Sequence, residues 1–222
     1  MARKLLAEYL GAALLVATVI GSGVMGAALS PGNAGVALLG NTLATAAILY
    51  VLILIFGPVS GAHFNPAVTA VFASRGEISA PRAAGYAAAQ VAGALSGAAL
   101  AHAMFGLDLI QAGATVRTGP GQWIGEIVAT FGLVLTILGA ARHQPGAVAP
   151  AVALFIAAGY WFTSSTSFAN PAVTIARGFS DTFAGIRPVD VAPFLAAQTA
   201  GAALGAGWGA MLFPTAPAPD RA

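Results

Sequence analysis

The chain contains no cysteine, so neither a disulfide framework nor a thiolate metal site enters the argument. Charge is nearly as scarce. Asp, Glu, Lys and Arg make up 7% of the 222 residues, where an ordinary soluble domain carries about 25%. None occurs between Tyr9 and Ser74, and further uncharged stretches run over 83–107, 143–176 and 191–219. The few basic residues stand at the ends of these stretches, so the formal net charge of +2 does not describe a nucleic-acid surface. The three histidines, His63, His102 and His143, are scattered rather than clustered at ligand spacing.

What is present is apolar. Hydrophobic residues make up 58% of the chain and the mean hydropathy is +0.85, the composition of an integral membrane protein. The opening MARKLLAEYLGAALLVATVIGSGVMGAA has the basic end and apolar run of a secretory signal. Glu8 interrupts that run early and many further spans follow, so it reads as the first transmembrane helix. Breaking the chain at Gly, Pro and charge gives six spans, about 5–27, 34–56, 82–104, 122–141, 146–164 and 190–212. Two apolar pieces, about 65–74 and 170–179, are too short to cross a bilayer that needs about 20 residues per helix. Each begins at Asn-Pro and reads as a re-entrant half-helix.

Both short pieces spell the same word. SGAHFNPAVT at 60–69 and STSFANPAVT at 165–174 share Asn-Pro-Ala-Val-Thr. The long spans repeat as well: Gln90, Gly93 and Gly97 match Gln198, Gly201 and Gly205, and the first and fourth spans each carry one acid near the start, Glu8 and Glu126. The chain is therefore expected to be a duplicated unit with halves of about 1–107 and 120–213, followed by a disordered tail over 214–222. Three crossings per unit is an odd number, so the second copy is inverted, the arrangement of many transport proteins. With the N-terminus inside, the cytoplasmic segments hold Arg3, Lys4, Arg75, Arg82, Arg142 and Arg221, and the outer ones Arg117, Arg177 and Arg187. That asymmetry predicts cytoplasmic termini.

Asn is a favoured N-cap, and Pro fits the first helical position because its missing N–H has no partner there anyway. Asn65-Pro66-Ala67 and Asn170-Pro171-Ala172 should each open a half-helix, and inversion brings the two positive helix ends together near the bilayer centre. Both Asn amides would donate to a solute's lone pairs, while a cation meets positive potential. The non-helical segments before the caps would line the same path with the carbonyls of Gly61, Ala62, His63, Ser167 and Phe168.

These paired boxes, the acids of spans one and four, and the Gln-x-x-Gly of spans three and six resemble the aquaporin and aquaglyceroporin (major intrinsic protein) family over essentially the whole chain. The resemblance implies an all-α membrane protein of six transmembrane helices plus two re-entrant half-helices in an inverted repeat. It further implies a homotetramer in a bacterial inner membrane, each protomer with its own lipid-embedded pore that passes small neutral solutes downhill without a cofactor. Typical members continue the second box as Asn-Pro-Ala-Arg, and that arginine helps to form a narrow outer filter. Here Val173 stands in its place. Counting from the boxes puts the other filter positions at Thr45, Ala158 and Ser167, and a slip of a residue or two in the fifth helix would substitute Gly159, Tyr160 or Trp161. With Ala158 the constriction is small, uncharged and wide, like that of bacterial members that conduct metalloid hydroxides.

Several residues carry two readings. Arg177 lies one turn beyond Val173 on the same face, about 6 Å further along. It either reaches back into the filter or, as expected here, pairs with Asp181 or loop carbonyls. Glu8 and Glu126 are either proton relays or, the preferred reading, acceptors that hold the re-entrant loops, braced by Gln90 and Gln198. His63 is expected to line the inner vestibule or hold its loop, and His102 and His143 to be ordinary interface residues. The hydroxyls of WFTSSTSF, Ser165 and Ser167 among them, either face solute or satisfy backbone before the Asn170 cap. Three functions compete: a passive channel for water, glycerol-like polyols and arsenous acid that excludes ions and protons; a proton-coupled transporter using Glu8 and Glu126; and an intramembrane enzyme, for which no nucleophile and base face one another.

Overall fold

The computed structural model describes residues 1–214, and its elements are helical throughout this range. The tail expected to be disordered lies, from residue 215 onward, outside the described residues. Six long helices, α1 (Ala2–Leu29), α2 (Ala34–Ser60), α4 (Ala80–Met104), α5 (Pro120–His143), α6 (Val148–Phe162) and α8 (Pro188–Leu212), surround two short ones, α3 (Pro66–Ser74) and α7 (Pro171–Arg177). A single 3-10 turn, Pro145–Ala147, leads into α6. Four of the long helices, and α6 when its leading turn from Pro145 is included, are apolar enough to cross a membrane on length and composition alone. The sixth, α8, has 25 residues, about 37 Å of helix, but Gln198 and a series of glycines dilute its hydropathy.

The helix ends follow local chemistry more than the apolar windows. The second helix runs on past the expected residue 56, tolerating Pro58 inside its last turn, and it stops only where Gly61 adopts φ 95°. Asn65 and Asn170 take nearly the same extended backbone, φ −151°, ψ 115° and φ −154°, ψ 113°. Each side-chain oxygen accepts from the second and third N–H groups ahead, Ala67 and Val68 at 2.9 and 3.4 Å, Ala172 and Val173 at 3.0 and 3.4 Å. With Pro66 and Pro171 at N1, all the orphan donors of the first turn but one are accounted for without water. The seventh helix ends two residues sooner than expected, since Gly178 and Phe179 turn back onto the carbonyls of Ile175 and Ala176.

Packing repeats between the halves. The first helix lies against α4 and α2, the fifth against α8 and α6, and α2 meets α6 where the halves join. The glycine pairs make the long contacts possible. A β-carbon at Gly93 or Gly97 would collide with the carbonyl oxygens of Tyr9 or Ala13, and one at Gly201 with that of Ile127. Backbone approach of this kind, rather than apolar burial, is what holds helices together in lipid. Their shared core mixes both halves, with Ile20, Leu52 and Phe64 beside Leu133, Val152 and Ala169.

Candidate functional site

The two half-helices meet tip to tip. Asn65 Nδ2 donates to the carbonyl of Ala169 at 2.7 Å, and Asn170 Nδ2 donates to the carbonyl of Phe64 at 2.8 Å. One hydrogen of each amide is therefore spent on the opposite half, which leaves the other to a solute. Around this junction lies a cavity of about 240 Å³. Its wall is mostly apolar and includes Asn65, Asn170, Thr45, Ser167 and Val173, along with Gly61, Ala62, His63 and Phe168.

The strained loops that reach the junction are held from behind by two buried carboxylates. Glu8 accepts from the N–H groups of His63 at 3.0 Å and Phe64 at 2.7 Å, from Ser60 Oγ at 2.6 Å and from Gln90 Nε2 at 2.7 Å. Glu126 accepts from the N–H groups of Phe168 at 2.8 Å and Ala169 at 2.9 Å, and from Gln198 Nε2 at 2.6 Å. The second hydrogen of each glutamine goes to Thr69 Oγ1 at 2.9 Å or Thr174 Oγ1 at 2.7 Å. These bonds offset the cost of non-glycine residues in the left-handed region: Ala62, Phe64, Thr166, Ser167 and Ala169 all have φ between 47° and 62°. Neither carboxylate lines the cavity. The threonines, the last letter of each repeated word, went unassigned in the sequence, although their identical place four residues after each asparagine marked them.

The structure corrects two placements and decides a third. Ala158 is exposed and absent from the cavity wall, where Tyr160 stands instead, its hydroxyl donating to Thr45 Oγ1 at 3.3 Å. Helix α6 offers alternate faces two residues apart, so a count slipped by two lands on the wrong side. Of the two partners expected for Arg177 the structure has the loop carbonyl and not Asp181, whose carboxylate accepts from Ala114 N at 3.2 Å. It is 2% exposed, lines the cavity, donates from Nε to the carbonyl of Ala184 and lays its guanidinium over the Phe168 ring, 3.3 Å from Cζ to the centroid. His102, finally, is no interface residue: fully buried, it bonds Leu109 O at 3.0 Å and Ser180 Oγ at 2.9 Å, pinning two loops together. His143 sets its ring edge against Phe213.

The hydroxyl-rich segment divides its labour. Ser165 Oγ receives the N–H of Ser167 at 3.3 Å, a backbone role, whereas Ser167 lines the cavity but packs its Oγ against Gly159, buried and with no protein partner among the described residues. His63 lines the cavity, bonds Thr69 Oγ1 at 3.1 Å and stacks on Phe72. Arg117, in the loop before α5, donates to Gly185 O at 2.8 Å and reaches Ser165 O and Thr166 Oγ1 at 3.5 and 3.4 Å, with its guanidinium 5.0 Å from the Phe168 centroid. Burial pushes its pKa down.

A continuous cavity between two capped half-helices, wrapped by membrane-spanning helices, defines a channel protein of the lipid bilayer. The chain matches the major intrinsic protein family over residues 1–147 and belongs to that family, whose members are channels for small neutral solutes and not enzymes. It is 55% identical over 202 residues to the aquaglyceroporin AqpS of Rhizobium meliloti, covering 91% of this chain and 86% of the relative. Similarity extends to the lens fiber major intrinsic protein of Gallus gallus, 34% identical over 193 residues, 80% and 69% of the two chains. The fold matches the X-ray structure of the aquaglyceroporin from Plasmodium falciparum with a TM-score of 0.73 at 20% identity, over 96% of this chain and 97% of that one.

Proposed function

We propose that the protein is a passive channel for water, glycerol-like polyols and arsenous acid that excludes ions and protons. The observation that carries this reading is the cavity at the asparagine junction, where two amides offer hydrogen bonds along a mostly apolar wall. Few polar groups on an apolar wall suit a neutral solute that must bind weakly enough to leave. The likeness to a protein named aquaglyceroporin supports the polyol component. In this reading Asn65, Pro66, Ala67, Asn170, Pro171 and Ala172 form the pore centre, and Thr45, Tyr160, Ser167 and Val173 the filter. The halves, about 1–107 and 120–213, are copies of one unit; four protomers assemble in a bacterial inner membrane with both termini cytoplasmic.

Val173 is central to solute choice. Its isopropyl group lies buried on the cavity wall where related filters place an arginine, so the throat keeps room for solutes larger than water. In reconstituted vesicles followed by light scattering, Val173→Arg should cut glycerol and arsenous acid flux at least tenfold and water flux by much less. Equal glycerol flux in the two proteins would remove Val173 from the constriction. The proton-coupled alternative has little support: both glutamates are saturated by donors and stand off the cavity wall. Solute flux that followed an imposed pH gradient and vanished in Glu8→Gln would restore it.

A further inference from the structure

Arg177 is the single permanently charged residue on the cavity wall among the described residues. It comes from the last turn of α7, four residues past Val173, and its side chain is held in place by the Ala184 carbonyl on Nε and by the Phe168 ring beneath the guanidinium. Neither terminal nitrogen has a protein acceptor among the described residues, and neither described ion pair, Arg75–Glu77 or Arg187–Asp190, includes it. Arg117 approaches the same ring 5.0 Å from its centroid. The carboxylates near these two cations are engaged elsewhere: Glu126 by the N–H groups of Phe168 and Ala169, and Asp190 by the Arg117 N–H at 2.9 Å and by the Arg187 guanidinium. Asp108, Asp181 and Asp190 lie on the same side of the junction but none of them lines the cavity, so the charge presented to the lumen is that of Arg177.

We propose that Arg177, one helical turn beyond the second box, supplies the positive charge that turns cations back at the throat, a task separated in this chain from the narrowing that a residue at position 173 would impose. The inference rests on the channel reading above. It explains how a pore with valine beside the box can be wide for uncharged solutes and still closed to ions: the guanidinium is held over the Phe168 ring at the cavity wall.

The test uses the full chain in proteoliposomes, with glycerol swelling and sodium leak measured on the same vesicles. A unit charge passing roughly 7 Å from a guanidinium at an effective dielectric of about 20 is disfavoured about fiftyfold. Arg177→Met should therefore raise sodium leak by about that factor while glycerol flux is retained, and Arg177→Lys should stay as tight as the unmodified protein. Arg177→Met with retained glycerol flux and no added leak overturns the inference. Should that variant lose glycerol flux altogether, Arg177→His decides: a sodium leak that closes as pH falls from 8 to 5 supports the charge role, with Arg117, Tyr160 and Glu126 as the groups facing the imidazole, and a pH-independent leak refutes it. Unmodified protein that passes neither water nor glycerol would sink the channel reading itself, and this inference with it.

Discussion

Removing the Glu126 carboxylate tests whether the re-entrant loops depend on buried acceptors. In Glu126→Ala three donors lose their partner at once, the N–H groups of Phe168 and Ala169 and one hydrogen of Gln198 Nε2, all in a region without water access from behind. Each buried donor left unsatisfied costs about 1–3 kcal/mol, and since neighbours relax together the sum is about 3–6 kcal/mol. For a chain of this size that is a fall in Tm of roughly 6–24 °C in detergent. Glu126→Gln keeps one acceptor oxygen but turns an NH2 toward a donor, so it should lose about 1–3 kcal/mol, an intermediate shift. Thr174→Val, which strands only the second hydrogen of Gln198, should fall near Glu126→Gln and well short of the alanine variant. Thermal unfolding followed by circular dichroism, with glycerol swelling alongside, reads both stability and function. A Glu126→Ala protein that melts within about 2 °C of the parent would refute the argument that this carboxylate holds the loop.

Two further outcomes follow from positions rather than charges. Gly97→Leu places side-chain atoms against the backbone of Ala13 and should abolish stable expression, whereas Gly40→Ala, where a β-carbon meets open space inside α2, should leave stability unchanged or raise it by up to about 1 kcal/mol as read by Tm. Ala158→Phe should leave glycerol flux within twofold, because that residue faces away from the cavity, while Tyr160→Ala should raise the ratio of glycerol to water flux; the reverse pattern, read by vesicle swelling, would return the filter position to Ala158.

The half-helices were legible because Asn-Pro combines a cap and a helix start in two letters, and because a segment too short to span has few alternatives in lipid. The Glu–loop contacts were legible as well, since a lone acid in an apolar span has to find donors. The register of α6 was not. Twelve residues separate Ala158 from Asn170, and the stretch 163–169 between them contains Thr166, Ser167 and Ala169 at positive φ, so it has no fixed rise by which to count. Arg177 was half legible for a related reason: spacing along α7 gave its height and a loop carbonyl was an expected partner, but the Phe168 ring over which its guanidinium lies comes from the irregular loop. His102 gave no pattern at all, being a single residue whose partners, Leu109 and Ser180, sit in two separate loops.

The crossed bonds from Asn65 to Ala169 and from Asn170 to Phe64 have a consequence for biogenesis. During translation the first short helix emerges about a hundred residues before the carbonyl its amide requires, and until then both groups would stand orphaned in hydrocarbon, where such groups are costly. The nascent N-terminal portion must therefore keep that segment at a wetter level, or shielded by the insertion machinery, and seat it only when its counterpart leaves the ribosome.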